Sequence, residues 1–177
     1  ARSGLPIYTP FKGTINTWLL LGELSTLFAT LCLLGIYVSV YRKKPSRTMV
    51  YWIAGWAVMA ARFAFGILNE LSGPSAVFAV AYHGATALSS LILLRAARTI
   101  DERSRADRFG IPAYAAVFLL AGAWILFGTL VLRDPFWIAL PTFFFFGSVQ
   151  IYTGASFLRS ARRVSSIGAT IAGWAFI

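Results

Sequence analysis

Charge is scarce in this chain: 12% of its 177 residues are Asp, Glu, Lys or Arg, about half the share found in ordinary soluble domains. It has one cysteine, one histidine, two methionines and six acidic residues. Each shortage excludes something. A lone cysteine, Cys32, rules out a disulfide within the chain. A lone histidine rules out bis-histidine haem ligation within it. There is no Cys/His cluster at zinc spacing and no Gly-rich phosphate loop. No lysine falls inside an apolar run, so a retinal Schiff base has no place in this segment.

What is present is apolar: 58% of the residues are hydrophobic and 16% aromatic, with a mean hydropathy of +0.72. Neither a typical soluble domain nor a disordered chain has that composition, and it argues against nucleic-acid binding despite the net charge of +10. The composition predicts an all-α, polytopic transmembrane helix bundle. A spanning helix needs about 20 apolar residues to cross roughly 30 Å of hydrocarbon, so five or six spans fill the length. No stretch outside them is long enough for a separate folded domain.

Residues 1–14 carry Pro6 and Pro10 beside Ile7, Tyr8 and Phe11, which predicts an irregular segment at the interface, where aromatic rings are favoured. The bundle is expected over 15–177, with spans at about 15–41, 48–71, 75–94, 111–132 and 136–158. The first is too long for the core of a signal peptide and lacks a basic region directly before it, and is read as a retained span. Gly73-Pro74 and Arg133-Asp134-Pro135 are turn signals, which makes spans 2 and 3 an antiparallel hairpin. Arg95 to Arg108 is expected to prolong span 3 as a charged stub. A sixth span, 165–177, has only 13 residues, about 20 Å of helix at 1.5 Å per residue. It is expected to be incomplete, and the chain to be a piece of a longer protein.

Counting basic residues by side sets the expected orientation. The connections after spans 1, 3 and 5 hold four, five and three Lys or Arg, against Arg2, Lys12 and Arg133 on the other side. The bias predicts an N-terminus outside and a basic cytoplasmic face in contact with anionic lipids.

Three strongly ionisable side chains fall well inside spans: Glu23, Arg62 and His83. All three lie roughly 12–14 Å from the outer end of their spans at 1.5 Å per residue, so they share one layer. An ionisable group in the membrane is a functional candidate by default. Each sits on a polar or small-residue stripe: Asn16, Glu23, Thr26, Thr30 and Tyr37 in span 1; Gly55, Met59, Arg62, Gly66 and Asn69 in span 2; Ala76, Ala79, His83, Thr86 and Ser90 in span 3. Small residues let helices approach and polar ones turn inward, so the stripes should face one another. Trp52, Trp56, Phe63 and Ile67 occupy another side of span 2 and are expected to face lipid.

Two readings of the layer stand side by side. In one, Glu23 and Arg62 are a buried ion pair with His83 as a neutral neighbour. In the other, Glu23, Arg62, His83, Tyr82 and Asn69 form a ligand-binding or switch site open to the outer face. His83 and Glu23 supply two metal ligands, too few without Tyr82, a missing span or another subunit. No catalytic residue and no cofactor is assigned. In span 5, Gly147, Gln150 and Gly154 are expected to serve helix packing, the Phe143–Phe146 run lipid or core contact, and Pro141 a possible kink. Cys32 is expected to be buried and inert.

At Tyr51-Trp52-Ile53-Ala54-Gly55-Trp56, at Ala60-Ala61-Arg62 and at Leu93-Leu94-Arg95, the chain resembles the multi-span N-terminal sensory regions of bacterial signalling proteins that precede PAS, GGDEF and EAL modules or histidine-kinase modules. The likeness covers most of the chain. It implies about seven spans in the bacterial inner membrane, a homodimer, and an output module in the cytoplasm, where a seventh span would return the chain. Two other classes remain: a structural or accessory subunit of a membrane transport or energy-transducing complex, and an intramembrane enzyme or proton-coupled carrier using Glu23 and His83.

Overall fold

The structure, a computed structural model, describes residues 16–73, 75–100, 110–132 and 134–164. The expected interfacial segment 1–14, most of the charged stub, Pro74, Arg133 and the sixth span at 165–177 lie outside the described residues. The described chain is helical throughout: α1 (Thr17–Lys43), α2 (Arg47–Ser72), α3 (Ala76–Ile100), α4 (Ile111–Phe127), which runs into a π-helical turn at Gly128–Leu132, and α5 (Pro135–Val164).

Local chemistry sets the helix ends. The Asn16 side chain accepts the Leu19 N–H at 3.3 Å and Ser46 that of Met49 at 3.2 Å, each relieving an orphan donor of a first turn. Arg42 and Lys43 occupy the last turn of α1, where cations oppose the helix dipole favourably. Gly73 ends α2 at φ +87°, a backbone that residues with a Cβ rarely adopt. Asn69 then accepts the Ser75 N–H at 3.0 Å, tying the turn between α2 and α3. Asp134 accepts the Phe136 N–H at 2.9 Å at the start of α5.

The α2–α3 hairpin is the centre, with α1 against α2, and α4 and α5 against α3; α4 and α5 meet each other little. The hairpin helices approach closely at Gly55, where a Cβ would stand 2.7 Å from Leu93 Cδ2. Ser89 donates to the Gly55 carbonyl at 2.8 Å, an interhelical hydrogen bond of the kind that joins spans. Leu93, Ala96 and Ala97 complete a buried seam on α3.

The outer faces are apolar. Trp18, Phe28, Leu119, Leu120 and Phe144 are all exposed, a surface suited to lipid and not to water. Five helices are long and apolar enough to cross a membrane: Thr17–Lys43, Arg47–Ser72, Ala76–Thr99, Ile111–Leu132 and Phe136–Ser160. The protein is a multi-pass membrane protein with an all-α fold.

Two expectations are corrected. Trp52 and Phe63 do not face outward: they are 4% and 8% exposed. The Trp52 ring stands between Tyr37 of α1, at 6.4 Å, and Phe157 of α5, at 5.8 Å, because the central helix has neighbours on more than one side. Cys32 is exposed, not buried, since among the described residues α1 packs chiefly against α2. Span 4 has its expected bounds, Ile111–Leu132, with its last turn π-helical. Pro141 lies inside a continuous α5.

Candidate functional site

Gly66, on the small-residue stripe of α2, makes room for a carboxylate from α1. A Cβ at this position would stand 3.1 Å from Glu23 Cδ, so the glycine admits the Glu23 head group against the helix backbone. The stripes of α1 and α2 therefore do meet at this level.

Arg62 lies on the same stripe, four residues earlier. Its Nη2 donates to the Tyr82 hydroxyl of α3. The guanidinium carbon lies 4.4 Å from the Tyr82 ring centre, 4.6 Å from Phe63 and 5.8 Å from Phe143 of α5. Each is within the distance at which an aromatic face attracts a cation. Nη1 lies 4.0 Å from Met59 Sδ, and Nε is buried without a partner. Aromatic faces hold this charge in place of bulk water.

Glu23 neighbours both the Tyr82 hydroxyl and the Arg62 charge, yet among the described residues no direct ion pair joins Glu23 to Arg62. The layer is organised around Tyr82. His83 follows it on α3, its ring edge-on to Tyr82 at 5.1 Å and to Phe143 at 6.4 Å. Its Nδ1 is buried and unpartnered.

Beside this cluster lies a cavity of about 510 Å³. Leu19 and Glu23 contribute from α1; Gly66, Asn69 and Glu70 from α2; Phe78, Tyr82 and His83 from α3; Thr129 from the π-helical turn; and Ile138 from α5. Four of the five predicted site residues, Glu23, Asn69, Tyr82 and His83, line it. Arg62 stands behind Tyr82. Asn69 has a structural task as well, since it holds the Ser75 amide.

Thr129 marks the contribution of the π-helical turn. Thr86, Ser90 and Thr142 return their hydroxyls to the carbonyl four residues back, the usual arrangement in a helix. Thr129 Oγ1 makes no such bond and is buried without a partner. Glu23 Oε2, His83 Nδ1 and Thr129 Oγ1 are thus three unpaired polar atoms belonging to side chains of one cavity wall. Unpaired buried groups of this kind are uncommon and call for an explanation.

Sequence reasoning missed Glu70, Phe63, Phe143 and Thr129. Glu70 was accessible to it, lying one turn beyond Gly66 on the same face. Phe143 and Thr129 were not, because they reach the site only through the docking of α5 and the unwinding of α4. Among the described residues no group of three or more His, Cys, Asp or Glu is placed to hold a metal ion.

The charges of the described residues are sorted by end. Glu70 and Asp134 lie by the connections at one end of the bundle, with Glu23 in the cavity nearby, and all Lys and Arg except Arg62 lie toward the other. At that basic end the Arg95 guanidinium lies over the rings of Tyr51 and Tyr114, at 5.1 Å and 5.9 Å, and Arg98 donates to the Tyr114 hydroxyl at 3.3 Å. Compared with protein-family models, curated proteins and solved structures, the chain matches none.

Proposed function

We propose that this chain is a membrane-embedded sensory or input domain of a bacterial signalling protein, which detects a small ligand, an ion or the state of the membrane and relays it to a cytoplasmic output module. The observation that carries the reading is the cavity itself. Side chains from α1, α2, α3, α5 and the π-helical turn of α4 converge there on unpaired polar atoms, so an occupant would touch every helix of the described bundle at once. Binding would shift the populations of helix arrangements by its difference in affinity for them, and the shift would reach the basic helix ends.

In this reading the basic end faces the cytoplasm, by the charge bias of the connections, and its arginines contact anionic lipids. The N-terminus is outside, the membrane is the bacterial inner membrane, and a sixth and further spans lead to the output module of a homodimer. The resemblance at Tyr51–Trp56 and Leu93–Arg95 supports the class of protein. Cyclic-di-GMP synthesis or breakdown and phosphotransfer are the outputs it implies.

A second reading, an accessory subunit of a transport or energy-transducing complex, draws on the broad apolar outer faces of α1 and α4. Chromosomal Tyr82→Phe and Arg62→Gln alleles separate the two. The sensory reading expects altered cellular cyclic-di-GMP or kinase output after normalisation to the amount of the protein in the membrane. Unaltered signalling, together with copurification of fixed partner subunits, would overturn it in favour of the second.

A further inference from the structure

We infer that the cavity binds a small organic cation: a protonated primary amine joined to an apolar body. The biological purpose of such binding rests on the sensory reading above, but the chemistry rests on the site.

The first argument is charge. Two carboxylates, Glu23 and Glu70, line the cavity, and the described lining contains no Lys or Arg. Among the described residues the nearby cation is Arg62, and it is already held by the Tyr82 hydroxyl and by three aromatic rings. The described lining is therefore acidic, with Glu23 set between the helices and Glu70 near the end of α2, and a wall of that sign favours a ligand cation over an anion. An ammonium group matches it.

The second argument is hydrogen bonding. Glu23 Oε2, His83 Nδ1 and Thr129 Oγ1 are buried without partners, and each belongs to a side chain of the cavity wall. A carboxylate oxygen and a hydroxyl oxygen accept, as does Nδ1 of a neutral imidazole that carries its proton on Nε2, whereas an ammonium group has three N–H donors and no acceptor. A ligand carboxylate would meet the same groups as a repelled anion. A ligand hydroxyl would leave the acidic wall unmatched.

The third argument is shape. The volume of about 510 Å³ falls within the roughly 300–1,000 Å³ of sites for compact organic ligands. Leu19, Phe78 and Ile138 give the wall an apolar part, against which a hydrocarbon or aromatic body packs. A bare metal ion would use none of it.

The experiment titrates the whole chain in nanodiscs of zwitterionic lipid with 2-phenylethylamine, 2-phenylethanol and 3-phenylpropionate. It reads the thermal unfolding midpoint and ligand-observed NMR, with Glu23→Gln treated identically to remove partitioning into lipid. The amine is expected to raise the midpoint saturably, and the alcohol and the carboxylate are not. Glu23→Gln weakens the amine at least tenfold, and Glu70→Gln weakens it about threefold. Equal binding of alcohol and amine, or no saturable amine binding, overturns the inference.

Glu70→Gln keeps the question open to refutation if Glu23→Gln does not fold, because an unchanged amine affinity there also overturns it. The two levels fail separately. Absent amine binding with signalling still altered by Tyr82→Phe removes the ligand class alone. Amine binding with signalling unaltered by Tyr82→Phe and Arg62→Gln removes the sensory reading alone.

Discussion

Arg62 of α2 donates a hydrogen bond to the hydroxyl of Tyr82 on α3 while its guanidinium lies 4.4 Å from the centre of the same ring. Tyr82 therefore meets the one intramembrane arginine both with its polar tip and with its π-face. A long cationic side chain is held in a defined place, next to Glu23 and behind the wall of the cavity.

Tyr82→Phe keeps the ring and removes the acceptor. The expected loss of stability is about 1–3 kcal/mol, the range for leaving a buried polar or charged group without its partner. Equilibrium unfolding of the purified bundle in mixed micelles measures it. Arg62→Lys is expected to be no milder, since an ammonium lacks the planar guanidinium that spreads across several rings.

Gly55 and Gly66 share a stripe but should respond differently to alanine. At Gly55 the new Cβ would stand 2.7 Å from Leu93 Cδ2, and Leu93 is only 1% exposed, so the seam has no room to yield. A loss of about 1–3 kcal/mol is expected for such overpacking. At Gly66 the clash is with the end of the Glu23 side chain, which can turn away, and alanine's better helix propensity offsets about 1 kcal/mol. Gly66→Ala should therefore unfold near the parent midpoint. Equal losses for the two variants would contradict this account.

Ser89→Ala tests the interhelical bond to the Gly55 carbonyl. Hydrogen bonds between spans average about 0.6 kcal/mol, so a loss of that order is expected in the same unfolding assay. The effect should vanish in a background already carrying Gly55→Ala, where the seam is forced apart. A double-mutant cycle supplies the comparison.

Trp52 and Trp18 should differ toward lipid. Trp52 is 4% exposed and Trp18 83%. In single-tryptophan variants, brominated lipids are expected to quench Trp18 strongly and leave Trp52 nearly unaffected. Trp52→Ala should also cost about 3–5 kcal/mol, the range for emptying a large aromatic from a core. Strong quenching of Trp52 would restore the outward placement that its helix face first implied.

Much of the fold follows from the sequence by itself. Five apolar runs of spanning length, divided by basic clusters and by Gly73 and Asp134, determine five helices and where they turn, because hydrocarbon tolerates no unpaired backbone and few charges. The polar and small stripes also name Glu23, Arg62 and His83 as sharing one layer, since groups that lipid cannot satisfy must turn toward one another; the placing of Tyr82 at its centre came from the packing of α3.

Periodicity within one helix cannot say how many neighbours that helix has, and there the tertiary structure decided. The surrounding helices bury Trp52 and Phe63 on a side that looked outward, whereas α1, which among the described residues packs chiefly against α2, leaves Cys32 exposed. The replacement of a direct Glu23–Arg62 pair by Tyr82 and aromatic faces was decided there too, as was the arrival of Phe143 and Thr129 from helices distant in the chain. These depend on which helices touch, and that is set by packing across the whole bundle.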